Sequence, residues 1–136
     1  MNFKTTSLFT LFFFLICFIT YTTSDPADLQ KITVISPTDG QSIKRGESIS
    51  VKYQTVKPDS GETASLHVIL LNSKKYQLYQ VVADQNLDGN SHEYTVPANR
   101  LQSDSAFYIR FHENYKAANS EVVQRLTHDS KVTITS

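Results

Sequence analysis

Along most of the chain beyond its N-terminal apolar run, hydrophobic and polar residues alternate with a period of two. The clearest case follows Gly46, where Ile49, Val51 and Tyr53 alternate with polar residues. A period of two is typical of a β-strand with one buried and one solvated face. The stretch 32–53 therefore predicts a strand, a turn-rich loop and a second strand.

The same criteria predict about seven short strands, with turn signals at the spacing of about 8–12 residues that is typical of a β-sandwich. The predicted strands are 31–36, 48–54, 64–71, 76–82, 92–96, 106–111 and 131–135. Asp88-Gly89 predicts a hairpin turn. Segment 113–129 fits a long loop, a hairpin arm or one helical turn. We expect an all-β, immunoglobulin-like or fibronectin-III-like antiparallel sandwich.

The N-terminal residues 1–24 have the features of a secretory signal peptide. Lys4 supplies a positive charge, a dense apolar run of twelve residues extends over Leu8–Ile19, and small residues end the segment. A membrane-spanning helix needs about 20 apolar residues, so the run fits a cleaved leader better than an anchor. We expect cleavage after Ser24, a secreted protein with no membrane span, and a single sandwich domain over 25–136.

Cysteine content and charge restrict the classes of function. The only cysteine, Cys17, lies in the predicted leader, so we expect no disulfide in the mature chain. Without Lys4, the 13 Lys and Arg fall to 12 against 13 Asp and Glu, a net charge of −1. Because no block of basic residues is present, we expect no nucleic-acid partner.

One motif suggests a metal site. Asp84, Asn86 and Asp88, followed by Gly89, match the first half of a calcium-binding loop. The twelfth position, which should be a bidentate glutamate, is Thr95, and strands are predicted on both sides. The pattern favours a polar turn over a metal site, and we expect no metal or cofactor.

Catalytic spacings are absent from the sequence. The histidines lack the spacing of zinc ligands, and no G-x-S-x-G motif is present. The glutamates lie in ordinary strand or loop contexts rather than as a pair for glycoside hydrolysis. The residues concerned are His67, His92, His112 and His128, with Glu62, Glu93, Glu113 and Glu121. We therefore expect no enzymatic activity.

Two predicted strands, 64–71 and 106–111, carry a candidate binding face if they are neighbours in one sheet. Their outward residues are His67, Ile69, Leu71, Tyr108, Arg110 and His112. Tyrosine stacks on the apolar faces of sugar rings while its hydroxyl forms hydrogen bonds. We expect a ligand-binding face formed by His67, Ile69, Tyr108, Arg110 and His112, unless another strand or segment 113–129 covers it.

The order of several short motifs resembles that of the fungal serine/threonine-rich GPI-anchored membrane protein family. This family includes the N-terminal domain of yeast cell-wall proteins needed for β-1,6-glucan assembly. The motifs are Ile35-Ser36-Pro37 with Gly40 and Gly46, then Ile49–Tyr53, Val68–Leu70, Tyr94–Pro97, Ala106–Arg110 and Ser130–Ile134. The resemblance covers most of residues 31–135. Where the family often has Trp at the end of the second strand, this chain has Tyr53.

The resemblance implies a role at the cell surface. It implies a secreted, non-enzymatic module of the cell wall, with a wall polysaccharide such as β-glucan or another wall protein as its partner. An extracellular protein-interaction domain or a secreted effector without carbohydrate binding is the alternative. A polysaccharide-active enzyme is a further rival that we do not favour.

Overall fold

The computed structural model describes residues 29–136, so the predicted leader, residues 1–24, lies outside the described residues. The described part of the chain forms eight strands and one short 3-10 helix, Ala98–Arg100. The strands are β1 Ile32–Ser36, β2 Gln41–Lys44, β3 Ile49–Thr55, β4 Thr63–Asn72, β5 Gln77–Asn86, β6 Ser91–Val96, β7 Ala106–Lys116 and β8 Gln124–Thr135. No helix within residues 29–136 is long and apolar enough to cross a membrane.

The strands form two sheets, which confirms the prediction of an all-β, immunoglobulin-like sandwich. One sheet has three strands in the order β1-β3-β6, and the other has five in the order β2-β8-β7-β4-β5. In the immunoglobulin arrangement, β1, β3 and β6 occupy the places of strands A, B and E, and β8, β7, β4 and β5 those of G, F, C and C′. The sandwich is not wholly antiparallel, because β2 runs parallel to β8.

Strand β2 lies in a region, 37–47, where the sequence predicts only a loop. The chain leaves the three-stranded sheet after β1, turns through Gly40 at φ +84°, and joins the five-stranded sheet at β2. The Gly40 N–H donates to the Lys131 carbonyl at 2.9 Å. The only buried residue of β2 is Ile43. A strand this short, with one apolar position, gives no periodic signal, and the described residues therefore contain one more strand than predicted.

Alternating residues from both sheets form the core. In β3, Ile49, Val51 and Tyr53 are buried while Ser50 and Lys52 face outward, as the period of two predicts. In β4 and β7 the inward residues are Ala64, Leu66, Val68 and Leu70, with Phe107, Ile109 and Phe111. Burying each large apolar side chain stabilises the fold by about 1.5–3 kcal/mol, so packing between these faces holds the sheets together.

Tyr53 occupies the centre of the core and is completely buried. Its ring stacks on His92 at 5.6 Å and on Tyr94 at 6.3 Å between centroids, and it meets the edge of Phe111 at 6.1 Å. Its hydroxyl donates to the Gln85 side chain. Burial raises the pKa of Tyr53 well above the ordinary value of 10.0. The residue thus connects three elements, β5, β6 and β7, to β3.

Segment 113–129 forms two arms of a hairpin, which was one of the three structures predicted for it. β7 extends to Lys116 and β8 begins at Gln124. Their pairing runs from Ala106 opposite Thr133 to Tyr115 opposite Gln124 without a shift in register. Both strands are therefore longer than the sequence predicts, and residues 117–123 form the connecting loop.

The prediction of a hairpin at Asp88-Gly89 is wrong. β5 belongs to the five-stranded sheet and β6 to the three-stranded sheet, so this loop crosses between sheets. The Thr55 hydroxyl holds the loop at the end of β3 by donating to the Asn90 carbonyl at 2.8 Å and to Asp88 at 3.1 Å. A Gly with positive φ, here Gly89 at +87°, serves a crossing loop as well as a hairpin, so the dipeptide alone cannot distinguish them.

Glu113 fixes the beginning of β1 to β7. This side chain is completely buried on the inner face of β7. Its carboxylate accepts the backbone N–H groups of Gln30 and Lys31, each at 2.7 Å. The Lys31 ammonium in turn lies 3.0 Å from Glu62, which also accepts the Tyr115 hydroxyl at 2.9 Å. The first strand is thereby bound to the opposite sheet through one carboxylate.

Replacing Glu113 tests this arrangement. We expect Glu113→Ala to lower the free energy of unfolding by about 2–3 kcal/mol, because the two backbone donors lose a charged acceptor. Urea unfolding at neutral pH measures the change. The matched control is Glu121→Ala in the exposed 117–123 loop, which should change stability by less than about 0.5 kcal/mol. Equal losses in the two variants would contradict the assignment.

Candidate functional site

The structure places the predicted binding-face residues on the outer side of the five-stranded sheet. β4 and β7 are antiparallel neighbours, with His67 opposite His112, Ile69 opposite Arg110, and Leu71 opposite Tyr108. The side chains on this side alternate with the core residues of the same strands, as the period of two predicts. Leu71 is buried with 2% of its surface exposed, so it is not available to a ligand.

Three of the predicted residues meet in a shallow groove of about 240 Å³. We call it the outer-face groove, and it is lined by His67, Ile69, Gln77, Gln80, His112 and Arg125. β4 supplies its centre, β5 its two glutamines, and β7 and β8 the remaining side. The groove therefore depends on four adjacent strands of one sheet, which is a rigid support for a binding site.

Periodicity does not predict that the two glutamines lie on the same face of β5. The sequence pattern predicts Gln77 and Gln80 on opposite faces of their strand, and the structure contradicts this. The β4–β5 pairing shifts register at three places, so Gln80 lies opposite Ile69 and Gln77 opposite Leu71. A bulge adds a residue to one strand and changes which face the following side chains occupy.

Tyr108 and Arg110 lie on the same face but outside the groove lining. Arg110 donates to both carboxylate oxygens of Asp129, at 2.7 and 2.8 Å. Lys75 lies 3.1 Å from the same carboxylate and 4.7 Å from the centroid of the Tyr108 ring. Burial acts to raise the pKa of Asp129, but hydrogen bonds from Arg110 and Lys75 outweigh it and lower that pKa. Arg110 and Tyr108 are thus engaged within the protein.

The groove combines hydrogen-bond donors and acceptors around an apolar centre. His112 Nδ1 lies 3.0 Å from the Thr127 hydroxyl. Burial lowers the pKa of His112, and the positive charges of Arg110 and Arg125 lower it further, so its imidazole is neutral at neutral pH. Arg125 uses its Nε to donate to Asn114 at 3.2 Å. A neutral imidazole and amide groups can each donate and accept.

A second groove, of about 490 Å³, lies where the two sheets part between β1 and β8. We call it the edge groove, and its lining is Leu29, Ile32, Thr33, Val34, Pro37, Thr38, Asp39, His128 and Ser130. Asp39 is held in this lining by its carboxylate, which accepts a hydrogen bond from the Lys131 N–H at 2.9 Å. None of the residues of the predicted binding face lines it.

The calcium-loop fragment is divided between a strand and a loop. Asp84 lies in β5 with φ +46°, its side chain is 72% exposed, and its carboxylate is 3.6 Å from His67 Nε2. Asn86 ends β5, and Asp88 follows in the crossing loop. Within residues 29–136, no group of three or more His, Cys, Asp or Glu side chains is placed to hold a metal ion.

Asp88 holds the crossing loop together. Its carboxylate lies 2.9 Å from His92 Nε2 and accepts the Asn90 N–H at 2.9 Å. The hydrogen bond with His92 is the largest of several that lower the pKa of Asp88 below its ordinary value of 3.8. The Gln85 side chain accepts a hydrogen bond from the Tyr53 hydroxyl and donates one to the Tyr94 hydroxyl at 3.2 Å. The polar residues in this region therefore hold the loop in place.

Three of the glutamates considered as catalytic carboxylates make contacts that hold strands. Glu93 in β6 accepts the Ser50 hydroxyl from β3 at 2.8 Å. Glu62 and Glu113 bind Lys31 and the beginning of β1. Neither the outer-face groove nor the edge groove has a glutamate in its lining.

Neither a scan against protein-family models nor a search of curated proteins finds a match to this chain.

The Asp88 interaction predicts a pH dependence. Because the folded state lowers the pKa of Asp88 below 3.8, the stabilisation is present above that pH and is lost as the pH falls through the lowered pKa. We expect Asp88→Asn to destabilise the protein at neutral pH and to reduce the loss of stability on acidification. Urea unfolding from about pH 7 to about pH 2 measures both effects.

The control is Asp84→Asn, which removes an exposed carboxylate from the same sequence motif. We expect it to change the free energy of unfolding much less than Asp88→Asn, since the Asp84 side chain is 72% exposed. Indistinguishable acid profiles for the two variants would show that Asp88 does not carry the effect.

Proposed function

We propose that this chain is a secreted, non-enzymatic module of the fungal cell wall or cell surface, and that its outer-face groove binds a wall polysaccharide. The observation that carries the proposal is the meeting of His67, His112, Gln77, Gln80 and Arg125 around Ile69. The ligand would lie across strands of the five-stranded sheet, where β4 and β7 are each paired on both sides and β8 is paired with β7.

The chemistry of the groove suits sugar hydroxyl groups. Each hydroxyl both donates and accepts hydrogen bonds, and the amides of Gln77 and Gln80 offer both functions side by side. The neutral His112 imidazole does the same, while Ile69 offers an apolar surface to the C–H groups of a sugar ring. A few placed polar groups around an apolar surface are typical of small-ligand sites.

The positions of the carboxylates agree better with a binding role than with a hydrolytic role. Glycoside hydrolysis needs two carboxyl groups on either side of the scissile bond, and no glutamate or aspartate lines the outer-face groove. Two carboxylates lie near the groove lining: Asp129 is bound by Arg110 and Lys75, and Asp84 lies 3.6 Å from His67. These observations support recognition rather than bond cleavage.

The cell-wall assignment depends on the motif resemblance and on the predicted leader. In the structure, the motifs Ile49–Tyr53 and Ala106–Arg110 belong to β3 and β7, which supply much of the core. The resemblance therefore concerns the residues that hold the sandwich together, and it supports a module of the same kind. The outer-face groove supplies the surface with which such a module would contact the wall.

Retention on insoluble β-glucan and chitin tests the proposal. We expect the wild-type chain to be retained on at least one polymer, and His67→Ala with Gln80→Ala to reduce retention by about tenfold, because two hydrogen-bonding groups are lost. The matched control is Lys52→Ala on the outward side of β3, which should bind as wild type. If the wild-type chain is retained on neither polymer, or if all variants are retained equally, this site is excluded.

Tyr108→Ala locates the ligand on the face. Because Lys75 lies over the Tyr108 ring, we expect a smaller loss than for the groove variants. Loss of binding only in Tyr108→Ala would move the site toward the aromatic residue and away from the groove. Release of reducing sugar from either polymer would contradict the non-enzymatic assignment.

A protein-interaction role is the second candidate, and one observation favours it. Val122 and Val123 in the loop between β7 and β8 are 66% and 59% exposed. Contiguous apolar side chains exposed on a surface are a feature of protein contacts. Val122→Ser with Val123→Ser should leave polysaccharide retention unchanged and abolish capture of a protein partner if this candidate is correct.

A further inference from the structure

The two edges of the five-stranded sheet differ in regularity. At the β5 edge, the pairing with β4 shifts register three times, and Asp84 has a positive φ. At the β8 edge, the pairing with β7 has no shift, and β2 covers only Val132–Thr135. Among residues 29–136, stretch 124–130 of β8 thus has a paired strand on one side only. A regular, uncovered edge presents free backbone groups to another strand.

The free backbone groups of this edge can be identified. The Lys131 and Thr135 carbonyls accept from Gly40 and Arg45, on the β2 side. Backbone groups alternate in direction along a strand, so the residues that direct N–H and C=O groups to the open side are Arg125, Thr127 and Asp129. Together they offer three donors and three acceptors in a straight row.

We propose that a second copy of this chain pairs with this edge, β8 against β8 in antiparallel orientation, about a two-fold axis at Thr127. Such a contact is isologous, because each copy uses the same patch. Centring on Thr127 lets the free groups of both copies pair, since Thr127 meets the partner's Thr127 and Arg125 meets the partner's Asp129. This inference does not depend on the proposed function.

Charge favours this register. On the outer face, Arg125 lies directly opposite the partner's Asp129, whose carboxylate also binds Arg110 and Lys75 of its own chain, and the symmetric pair repeats the contact. Opposite charges facing each other across strands stabilise pairing, and like charges destabilise it. A parallel arrangement in register would place Arg125 beside the partner's Arg125. The sequence of β8 therefore selects the antiparallel form.

The edge groove adds an apolar contact on the inner face. In the proposed register, the partner's Leu126 lies opposite His128, which lines the edge groove. The groove also presents Ile32, Val34 and Pro37. When a strand is added to a sheet edge, backbone hydrogen bonds hold the strand while alternate side chains enter neighbouring pockets. The second copy thus supplies both the strand and a leucine for the groove.

A cysteine at the axis tests the register. In a Cys17→Ser background, Thr127→Cys is the only thiol of the chain. Cα atoms of a hydrogen-bonded antiparallel pair lie about 5.5 Å apart, within the range of a disulfide. We expect mild oxidation to give a covalent dimer on a non-reducing gel. The control is Gln124→Cys, where the two Cα atoms would lie about 20 Å apart and no crosslink should form.

Proline at the same position tests the contact without oxidation. The Thr127 N–H points away from β7, so Thr127→Pro removes an edge donor and leaves the β7–β8 pairing intact. Sedimentation of the wild-type chain should show a dimer, Thr127→Pro a monomer of half the mass, and Thr127→Ala a dimer. Circular dichroism of each variant shows whether the fold is kept.

A charge variant provides a second, milder test. Arg125→Asp places two aspartates opposite each other in each half of the contact, and we expect it to weaken dimerisation by about tenfold. A wild-type chain that stays monomeric at all concentrations would overturn the proposal. So would a dimer that Thr127→Pro and Arg125→Asp leave unchanged, or one in which Gln124→Cys crosslinks as well as Thr127→Cys.

Discussion

The placement of the first strand depends on a buried carboxylate of β7 that accepts two backbone N–H groups from the residues just before β1. Burying an ionised carboxylate without hydrogen bonds costs several kcal/mol. Glu113 avoids this cost because the N–H groups of Gln30 and Lys31 both reach it at 2.7 Å. The contact exists only when β1 stands at one position relative to β7. Glu113 thus fixes the beginning of β1 against the opposite sheet, in addition to the core packing and the Tyr53–Gln85 hydrogen bond that also join the two sheets.

Much of the fold could be predicted from the sequence because three strands carry a clean period of two. In β3, β4 and β7 the alternation of Ile49 to Tyr53, Leu66 to Leu70 and Phe107 to Phe111 follows directly from burial on one side. The alternation is absent from β2 and β5, where burial of one face does not set the sequence pattern. β2 is held by pairing with β8 rather than by apolar side chains, and β5 is bulged, so neither strand leaves a readable pattern.

In the candidate site, too, periodicity predicts some features and not others. His67, Ile69 and His112 could be placed together because they alternate with core residues on strands that proved to be neighbours. Arg110 could not be recognised as engaged, because its partner, Asp129, lies in a part of β8 that the sequence does not identify as a strand. The position of a charged residue on a face is thus readable from periodicity, whereas its partner depends on register.

The enclosure of Tyr53 has a spectroscopic consequence. The chain contains no tryptophan, so tyrosine dominates its near-ultraviolet absorption and emission. Tyr53 is completely buried, and its contacts with the Phe111 ring and the Gln85 side chain exist only while the two sheets face each other. The near-ultraviolet circular dichroism of the tyrosines therefore contains a contribution from Tyr53 that depends on contact between the sheets, and it needs no label.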